Sequence, residues 1–338
     1  MRWKSDESRT EIDREVEKVA GFQWTRERSL TARASTDILT NREKRGFEIL
    51  RVAPDMDHKN ANAKGNVMKI RLLLRGAAAV MAWLALVPLS AAASSDIGVV
   101  VMHGKEGMPV GMQPMATALE GAGHHVVVPE LAWSRNRIYD KPVSDALLEI
   151  DAAVAQLKAK GAKRIVVLGH SLGGSVALRY AAKRPGLAGV VLSAPAHNPD
   201  SETARRLFTK DLERARALIV QGKVTETQSF LDANGGDARG FRTYSVVVTP
   251  PVYVSWWGEE DGELLSPRNA AALNPPMPVL FLVAKNDRFA RPQGDVYDKA
   301  PPHPQSRHLI IDTDHSGMLK DGVGTLLDWL KSLPTAKD

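Results

Sequence analysis

The sequence predicts an α/β protein with a mostly parallel sheet of about six strands, helices on both faces and a short inserted cap. Two observations carry this prediction. From Ile97 onward, short apolar runs alternate with stretches of helical periodicity, as expected where helices connect parallel strands. Between Ala196 and Pro276 the alternation stops, and this segment is too long to be a simple crossover.

The elements follow one another along the chain. Their apolar runs are short and rich in β-branched residues, which is typical of strands buried on both faces. The predicted strands are Ile97–Met102, His125–Val128, Arg164–Leu168, Gly189–Ser193, Val279–Val283 and His308–Ile311. The predicted helices are Met112–Ala122, Val143–Lys160, Leu172–Lys183 and Met318–Leu333.

The inserted segment, at about 197–275, is interpreted as a cap over one end of the sheet. It starts with a charged helical stretch, Asp200–Lys223, and ends in the aromatic run Tyr253–Trp257. From that run, Tyr253 and Trp256 are predicted to line a substrate pocket. The alternative is that these aromatic side chains pack in a small core of the cap itself.

Two segments precede the predicted domain, 94–338. Residues 68–93 have a basic start, an uncharged apolar stretch and the small residues Ala91–Ala93, the layout of a signal peptide. Residues 1–67 are highly charged, and we interpret them as a non-native or disordered extension, with Met68 as the initiator. A cytoplasmic tail ahead of a membrane anchor is the alternative. The expected location is therefore periplasmic or secreted, without a stable membrane span after cleavage, or membrane-anchored if the segment is retained.

Charge and composition exclude several classes of protein. The net charge of +6 belongs mostly to residues 1–93, which carry 17 of the 45 basic and 12 of the 39 acidic side chains. The remaining 28 basic and 27 acidic side chains nearly balance, so the domain gives no reason to expect a nucleic acid partner. With no cysteine there can be no disulfide, no thiol nucleophile and no cysteine-based metal site.

The sequence Gly169-His170-Ser171-Leu172-Gly173 stands between a predicted buried strand and a predicted helix. A G-x-S-x-G motif in this context is a nucleophile elbow, a tight strand-to-helix turn that exposes the serine oxygen above the end of the sheet. The pattern predicts that Ser171 is a nucleophile. An ordinary glycine-rich turn is the alternative.

With this elbow in the alternating pattern, the chain resembles the α/β-hydrolase superfamily over residues 96–333. It looks closest to small exported bacterial serine hydrolases of undefined substrate. The first two strands of that fold have no counterpart here, since the predicted signal peptide runs almost directly into Ile97. The resemblance implies that the triad acid is Asp287, in the loop after the penultimate strand. It implies that the base is His315, between the last strand and the last helix.

These three residue types suit acyl transfer. A serine hydroxyl needs a base to remove its proton, and a carboxylate on the far ring nitrogen orients the imidazole. Asp312 and Asp314 are rival acids, but both lie too near His315 in sequence for comfortable reach. The remaining histidines of the domain are expected to be structural or exposed: His124, His125, His170, His197, His303 and His308.

An oxyanion hole needs two backbone N–H groups. One is expected from Leu172, directly after the nucleophile and at the start of a helix. By the resemblance, the other comes from Lys105, in the turn after the first strand. His103 and Gly104 of the same turn are expected to line the substrate pocket. Trp133 is expected there too, because it follows a strand at the end of the sheet where ligands collect.

Together the residues and the resemblance imply an exported serine hydrolase that forms an acyl-enzyme. Its expected substrate is a small-molecule acyl ester, with an amide or a thioester as further possibilities. No metal and no organic cofactor are expected. The alternatives are a non-catalytic envelope binding protein on the same scaffold and an acyltransferase.

Overall fold

The computed structural model of the chain describes residues 95–237 and 240–335. The predicted extension, 1–67, and the predicted signal peptide, 68–93, lie outside the described residues. Within those residues, no helix has both the length and the apolar character needed to cross a bilayer.

Eight strands are present in the described residues, and six of them form one parallel sheet. In chain order the strands are β1 (Ile97–Met102), β2 (His125–Val127), β3 (Arg164–His170), β4 (Gly189–Ser193), β5 (Gln228–Asp237), β6 (Gly240–Val248), β7 (Val279–Ala284) and β8 (Arg307–Ile311). The order across the sheet is β2-β1-β3-β4-β7-β8, with every neighbouring pair parallel. The predicted fold class is confirmed. β5 and β6 form a separate antiparallel hairpin in the inserted segment.

Helices connect these strands. They are α1 (Gln113–Gly121), α2 (Val143–Ala159), α3 (Leu172–Lys183), α4 (Glu202–Val220), α5 (Pro250–Trp257), α6 (Ser266–Ala271), α7 (Gln293–Val296), α8 (Met318–Asp321) and α9 (Val323–Ser332). The predicted single C-terminal helix is thus divided into α8 and α9. The division falls at Gly322, where an added Cβ would lie 2.8 Å from the Met318 sulfur.

Two hydrophobic cores cover the two faces of the sheet. Successive side chains of a strand point to opposite faces, so Val167 of β3 joins one core while Val166 and Leu168 join the other. The first core contains α2, α3 and the cap helices α4 and α5, whereas the second contains α1, α8 and α9. Burial on both faces explains why the central strands are mostly apolar.

Two features of the cap have no counterpart among the elements predicted from the sequence. Its Gly/Asp-rich stretch, Asn234–Asp237, belongs to β5 at the end of the hairpin. Its aromatic run belongs to α5, which begins with Pro250 and Pro251 in the first helical turn, where proline is tolerated. Neighbouring residues of this run therefore point about 100° apart around a helix.

Because the strands of the main sheet are parallel, their carboxyl ends meet at one edge. The turn after β1 contains Gly104 and Lys105, and the elbow after β3 contains Ser171. Asp287 follows β7, and His315 follows β8. The topology alone brings these four loops to the same edge of the sheet.

Candidate active site

Ser171 lies in the sharp turn between β3 and α3, with φ 56° and ψ −124°. A non-glycine residue in this region of backbone space is strained by about 1–3 kcal/mol and persists only where its surroundings hold it. Here the Ser171 N–H donates to Ser193 O at 3.0 Å, and Ser171 O accepts from Ala196 N at 3.1 Å. The turn also needs space, since a Cβ on Gly173 would lie 2.5 Å from His103 O. These contacts position the serine above the carboxyl end of the sheet.

His315 and Asp287 form a direct pair. His315 Nδ1 lies 2.7 Å from Asp287 Oδ2, and the carboxylate side chain is only 1% exposed. The other carboxylate oxygen, Oδ1, accepts from the Phe289 N–H at 2.8 Å. Because a carboxylate can only accept, the proton lies on Nδ1 and leaves Nε2 of the neutral ring free to act as a base.

Ser171 and His315 both line one cavity of about 380 Å³. The His315 ring packs against His170, at 4.9 Å between ring centroids, and edge-on against Phe289, at 5.4 Å. Burial, together with the nearby His315, lowers the pKa of His170 to about 3. His170 therefore stays neutral and packs against the imidazole of His315.

The turn after β1 passes directly above Ser171. A Cβ added to Gly104 would lie 3.0 Å from Ser171 Cβ and 3.5 Å from its Oγ, so a larger residue would require the turn or the serine to shift. Within the described residues, the backbone N–H groups of Lys105 and Leu172 have no hydrogen-bond acceptor. Leu172 is also the first residue of α3, where the helix dipole favours negative charge.

His103 holds this turn in shape. Its Nε2 accepts from the Leu131 N–H at 3.2 Å, so Nδ1 carries the proton and donates to Gly104 O at 2.9 Å. Burial lowers the pKa of His103, which keeps the ring neutral. Both His103 and Gly104 lie in the cavity wall.

The cavity wall contains both apolar and polar side chains. The larger apolar ones are Met108, Met112, Leu207, Phe208, Trp257, Phe289 and Leu319. The polar ones include Lys105, His197, Asn198 and Asn234. The cavity therefore offers both kinds of contact to a bound molecule.

Three residues predicted to line the pocket lie outside the cavity wall. Trp133 is fully buried and donates from Nε1 to His103 O at 2.8 Å. The Tyr253 hydroxyl donates to Leu231 O at 2.8 Å, and Trp256 Nε1 donates to Lys141 O at 2.9 Å. These polar atoms are satisfied by backbone carbonyls, and the rings form the core beneath the cap.

The aromatic residue of α5 that does line the cavity is Trp257. The residues predicted from this run were Tyr253 and Trp256 instead, because the run was not recognised as a helix, in which adjacent side chains face different directions. Leu207 and Phe208 of α4 were not predicted either. The buried residues of α4 recur every three or four positions, at Ala204, Phe208, Leu212 and Ala215. That apolar spacing was the signal available in the sequence.

The rival residues have other partners. Asp312 is paired with Lys285 at 3.2 Å and is 75% exposed, while Asp314 Oδ1 accepts from the Gly317 N–H at 2.7 Å. His197 Nε2 donates to Trp256 O at 2.6 Å, and burial lowers the pKa of this histidine to about 4.

The side chain of Lys105 makes an ion pair that the sequence did not predict. Its Nζ lies 2.6 Å from Oδ1 of Asp232, a β5 residue whose side chain has no exposed surface. Burial alone would raise the pKa of the Asp232 carboxyl. The Lys105 charge and hydrogen bonds from Lys105, Tyr244 and Ala233 N–H outweigh that effect and lower the pKa. Asp232 is therefore a buried carboxylate.

No metal-binding arrangement is found in residues 95–237 and 240–335, where no three histidine or acidic side chains gather closely enough to hold an ion. The groups in the cavity wall are those of acid–base and nucleophilic chemistry.

Comparison with known proteins gives three findings. A family model described as the alpha/beta hydrolase family matches residues 99–324. A thermostable monoacylglycerol lipase from Bacillus sp. (strain H-257) is 30% identical over 103 residues, which are 30% of this chain and 41% of that enzyme. The match thus spans less than half the length of the curated relative.

Solved structures are similar at low identity. A metagenome-derived lipolytic enzyme is 19% identical, with a TM-score of 0.49 and coverage of 71% of this chain and 93% of its own. A monoacylglycerol lipase from Paleococcus ferrophilus is 21% identical, with a TM-score of 0.48 and coverage of 70% and 94%. The family model matches about two thirds of the length of this chain, and the chain therefore belongs to the alpha/beta hydrolase family.

Proposed function

We propose that this protein is a serine hydrolase that cleaves carboxylic esters through an acyl-enzyme, with Ser171 as nucleophile, His315 as base and Asp287 as the orienting acid. The observation that carries the proposal is the 2.7 Å contact between His315 Nδ1 and Asp287 Oδ2, beside a cavity that Ser171 also lines. The strained backbone of Ser171 supports the same role, since strain of this kind clusters at active sites.

In the acylation step, Ser171 Oγ attacks the carbonyl carbon of the ester while His315 Nε2 removes the hydroxyl proton. Asp287 stabilises the resulting imidazolium through Nδ1–H. The N–H groups of Lys105 and Leu172 donate to the oxyanion of the tetrahedral intermediate. His315 then returns its proton to the departing alcohol, and an ester between Ser171 and the acyl group remains.

Deacylation repeats these roles with water. His315 removes a proton from the water as its oxygen attacks the acyl carbon, and the same two N–H groups hold the second oxyanion. Collapse of this intermediate breaks the bond to Ser171 Oγ, which recovers its proton from His315. The products are a carboxylic acid and the free enzyme.

The cavity, with apolar and polar side chains in its wall, supports an acyl ester with an apolar acyl group as substrate. The curated relative that matches part of this chain is a monoacylglycerol lipase, and it agrees with that substrate class. An amide or thioester reacts by the same steps. An acyl acceptor other than water makes the protein an acyltransferase.

The decisive experiment is covalent labelling with a fluorophosphonate, whose phosphorus is attacked by an activated serine with loss of fluoride. We expect one label on Ser171 in the full chain, located by peptide mass spectrometry, and none in Ser171→Ala. The variant Ser144→Ala, at an exposed position of α2, is the matched control and should label normally. A folded wild-type protein that takes no label would contradict the proposal and favour a non-catalytic binding protein.

We also propose that residues 68–93 are a cleaved export signal, so that the domain acts in the periplasm or outside the cell. The support is the basic start, the apolar stretch and Ala91–Ala93. Amino-terminal sequencing of the natural product should find a terminus near Ser94. A terminus upstream of Met68 in the exported fraction would contradict cleavage here.

A further inference from the structure

The ion pair between Lys105 and Asp232 joins the oxyanion turn to the cap. Lys105 Nζ lies 2.6 Å from Asp232 Oδ1 and 3.0 Å from Ala233 O, and the lysine side chain is only 13% exposed. The next residue of the turn, Glu106, accepts from Asn234 Nδ2 at 3.1 Å. Two adjacent residues of the turn are therefore bonded to three consecutive residues of β5.

Asp232 is held by donors from several elements. The Tyr244 hydroxyl of β6 donates to Oδ2 at 2.8 Å, and Trp257 Nε1 of α5 donates to Oδ1 at 3.0 Å. The Ala233 N–H donates to Oδ1 at 2.7 Å, and the Tyr139 hydroxyl lies 3.4 Å from Oδ2. A buried carboxylate with this many donors has a fixed position, and it transmits that position to Lys105.

The proposed mechanism does not use either of these charges. Lys105 Nζ bonds to Asp232 and to Ala233 O, so it is directed into the cap. The backbone N–H of the same residue has no acceptor among the residues that the structure describes. On its other side the turn is held by bonds to the sheet domain, such as Glu106 N–H to Trp133 O at 3.0 Å and His103 Nδ1 to Gly104 O at 2.9 Å.

We propose that Lys105 and Asp232 are positioning residues, whose buried ion pair fixes the Lys105 N–H where it meets the oxyanion. This inference rests on the proposed function. The hairpin that supplies Asp232 also supplies Ala233 and Asn234 to the cavity wall. The pair therefore couples the shape of the substrate cavity to the geometry of the oxyanion hole. A shift of the β5–β6 hairpin would therefore also shift the Lys105 N–H.

The test must avoid leaving one buried charge alone, because that would destabilise the fold whatever its role in the reaction. The double variant Lys105→Met/Asp232→Asn removes both charges and keeps the approximate side-chain volumes. Its matched control is Arg164→Met/Asp96→Asn, which removes a partly buried ion pair, at 2.5 Å, from the opposite end of the sheet.

Both double variants and the wild type are assayed in the full chain with p-nitrophenyl butyrate. A trifluoromethyl ketone, which forms a tetrahedral oxyanion adduct with an active serine, reports the oxyanion hole directly. For Lys105→Met/Asp232→Asn we expect kcat to fall roughly tenfold to a hundredfold, below the loss caused by deleting a whole oxyanion donor. We expect KM to change little, and ketone affinity to fall by the same factor as kcat. The single variant Lys105→Arg keeps the positive charge, and it should retain most of the wild-type kcat and most of the wild-type ketone affinity.

The inference is overturned if the folded double variant keeps wild-type kcat and ketone affinity, or if only KM rises. An equal loss in the Arg164/Asp96 control would also overturn it, since the effect would then be general destabilisation. If melting shows that the double variant is unfolded, Tyr244→Phe replaces it. This change removes one donor to Asp232 without altering charge, and kcat should fall severalfold with unchanged KM. Wild-type kcat in folded Tyr244→Phe would refute the inference.

These outcomes separate the inference from the proposed function. A wild-type chain that is active and labelled on Ser171, together with an unaffected double variant, refutes the positioning role alone. A folded wild-type chain without label or activity refutes both.

Discussion

Arg291 forms a bidentate ion pair with Asp200, with distances of 2.7 and 2.8 Å between the guanidinium nitrogens and the carboxylate oxygens. The arginine side chain is only 7% exposed. Arg291 belongs to the loop that carries Asp287, and Asp200 belongs to the segment that leads into the cap. The pair therefore ties the loop of the proposed triad acid to the beginning of the cap.

Replacing Arg291 by methionine should lower the free energy of unfolding by about 3 kcal/mol, because Asp200 is left half-buried without its partner. Urea denaturation followed by circular dichroism measures this. The control is Lys331→Met, which removes an ion pair whose side chains are 72% and 78% exposed. That change should cost less than about 1 kcal/mol. Equal losses in the two variants would contradict a specific role for Arg291.

The same pair makes stability depend on pH. Burial raises the pKa of Asp200, but the hydrogen bonds and charge of Arg291 outweigh it and lower the folded-state pKa below its ordinary value. A lowered folded-state pKa means that the stabilisation is present above the unfolded-state pKa of about 3.9 and is lost as pH falls through the folded-state value. The stability difference between wild type and Asp200→Asn should thus be constant near neutral pH and shrink below about pH 4. A difference that grows on acidification would contradict this.

Asp287→Asn should reduce kcat by about 10⁴ with little change in stability, because an asparagine amide can hold the imidazole in the wrong tautomer. The control is Asp312→Asn, since Asp312 is the rival acid and is 75% exposed in its pair with Lys285. Steady-state kinetics on an acyl ester should find Asp312→Asn close to wild type. If the two variants exchanged these phenotypes, the assignment of the acid would be wrong.

Gly104→Ala should give a folded protein with strongly reduced labelling and kcat, since the new methyl group would lie 3.0 Å from Ser171 Cβ. Such a contact is too short to be accommodated without movement of the turn or of the serine. Gly121→Ala is the control, because nothing lies within 4 Å of the corresponding Cβ. The rate of fluorophosphonate labelling measures the loss of reactivity in both variants, and their melting temperatures show whether they are folded. Normal labelling of Gly104→Ala would show that the turn does not approach the nucleophile closely.

Much of the fold could be predicted from the chain because its signals are local. The run Ile97–Met102 is β1 without adjustment, and Leu172–Lys183 is α3. Two other predicted strands ended one or two residues early, whereas His125–Val128 ended one residue late and His308–Ile311 began one residue late. Arg164–Leu168, for example, continues to His170, because pairing with β1 and β4 extends the backbone into the elbow. The inserted segment was harder, since the hairpin of β5 and β6 depends on packing against α4 and α5 rather than on a turn motif.

The residues of the candidate site also fall into two groups, those that the sequence predicts and those that only the structure shows. A motif predicts Ser171, and a resemblance that depends on their order after particular strands implies Asp287 and His315. Trp257 and Asp232 carried no such signal. Only the helical rotation of α5 directs Trp257 rather than Trp256 toward the cavity. Only the fold brings Asp232 to Lys105, 127 residues away.

By itself, the sequence determined the α/β class, the parallel sheet and the residue types available for acyl transfer, because periodicity and short turn motifs act over a few residues. Tertiary structure alone decided which aromatic rings reach the cavity and which carboxylate neutralises Lys105. Those outcomes depend on the relative positions of the cap and the sheet edge. Such positions result from packing and the pairing of buried charges among residues far apart in the chain, and no local pattern records them.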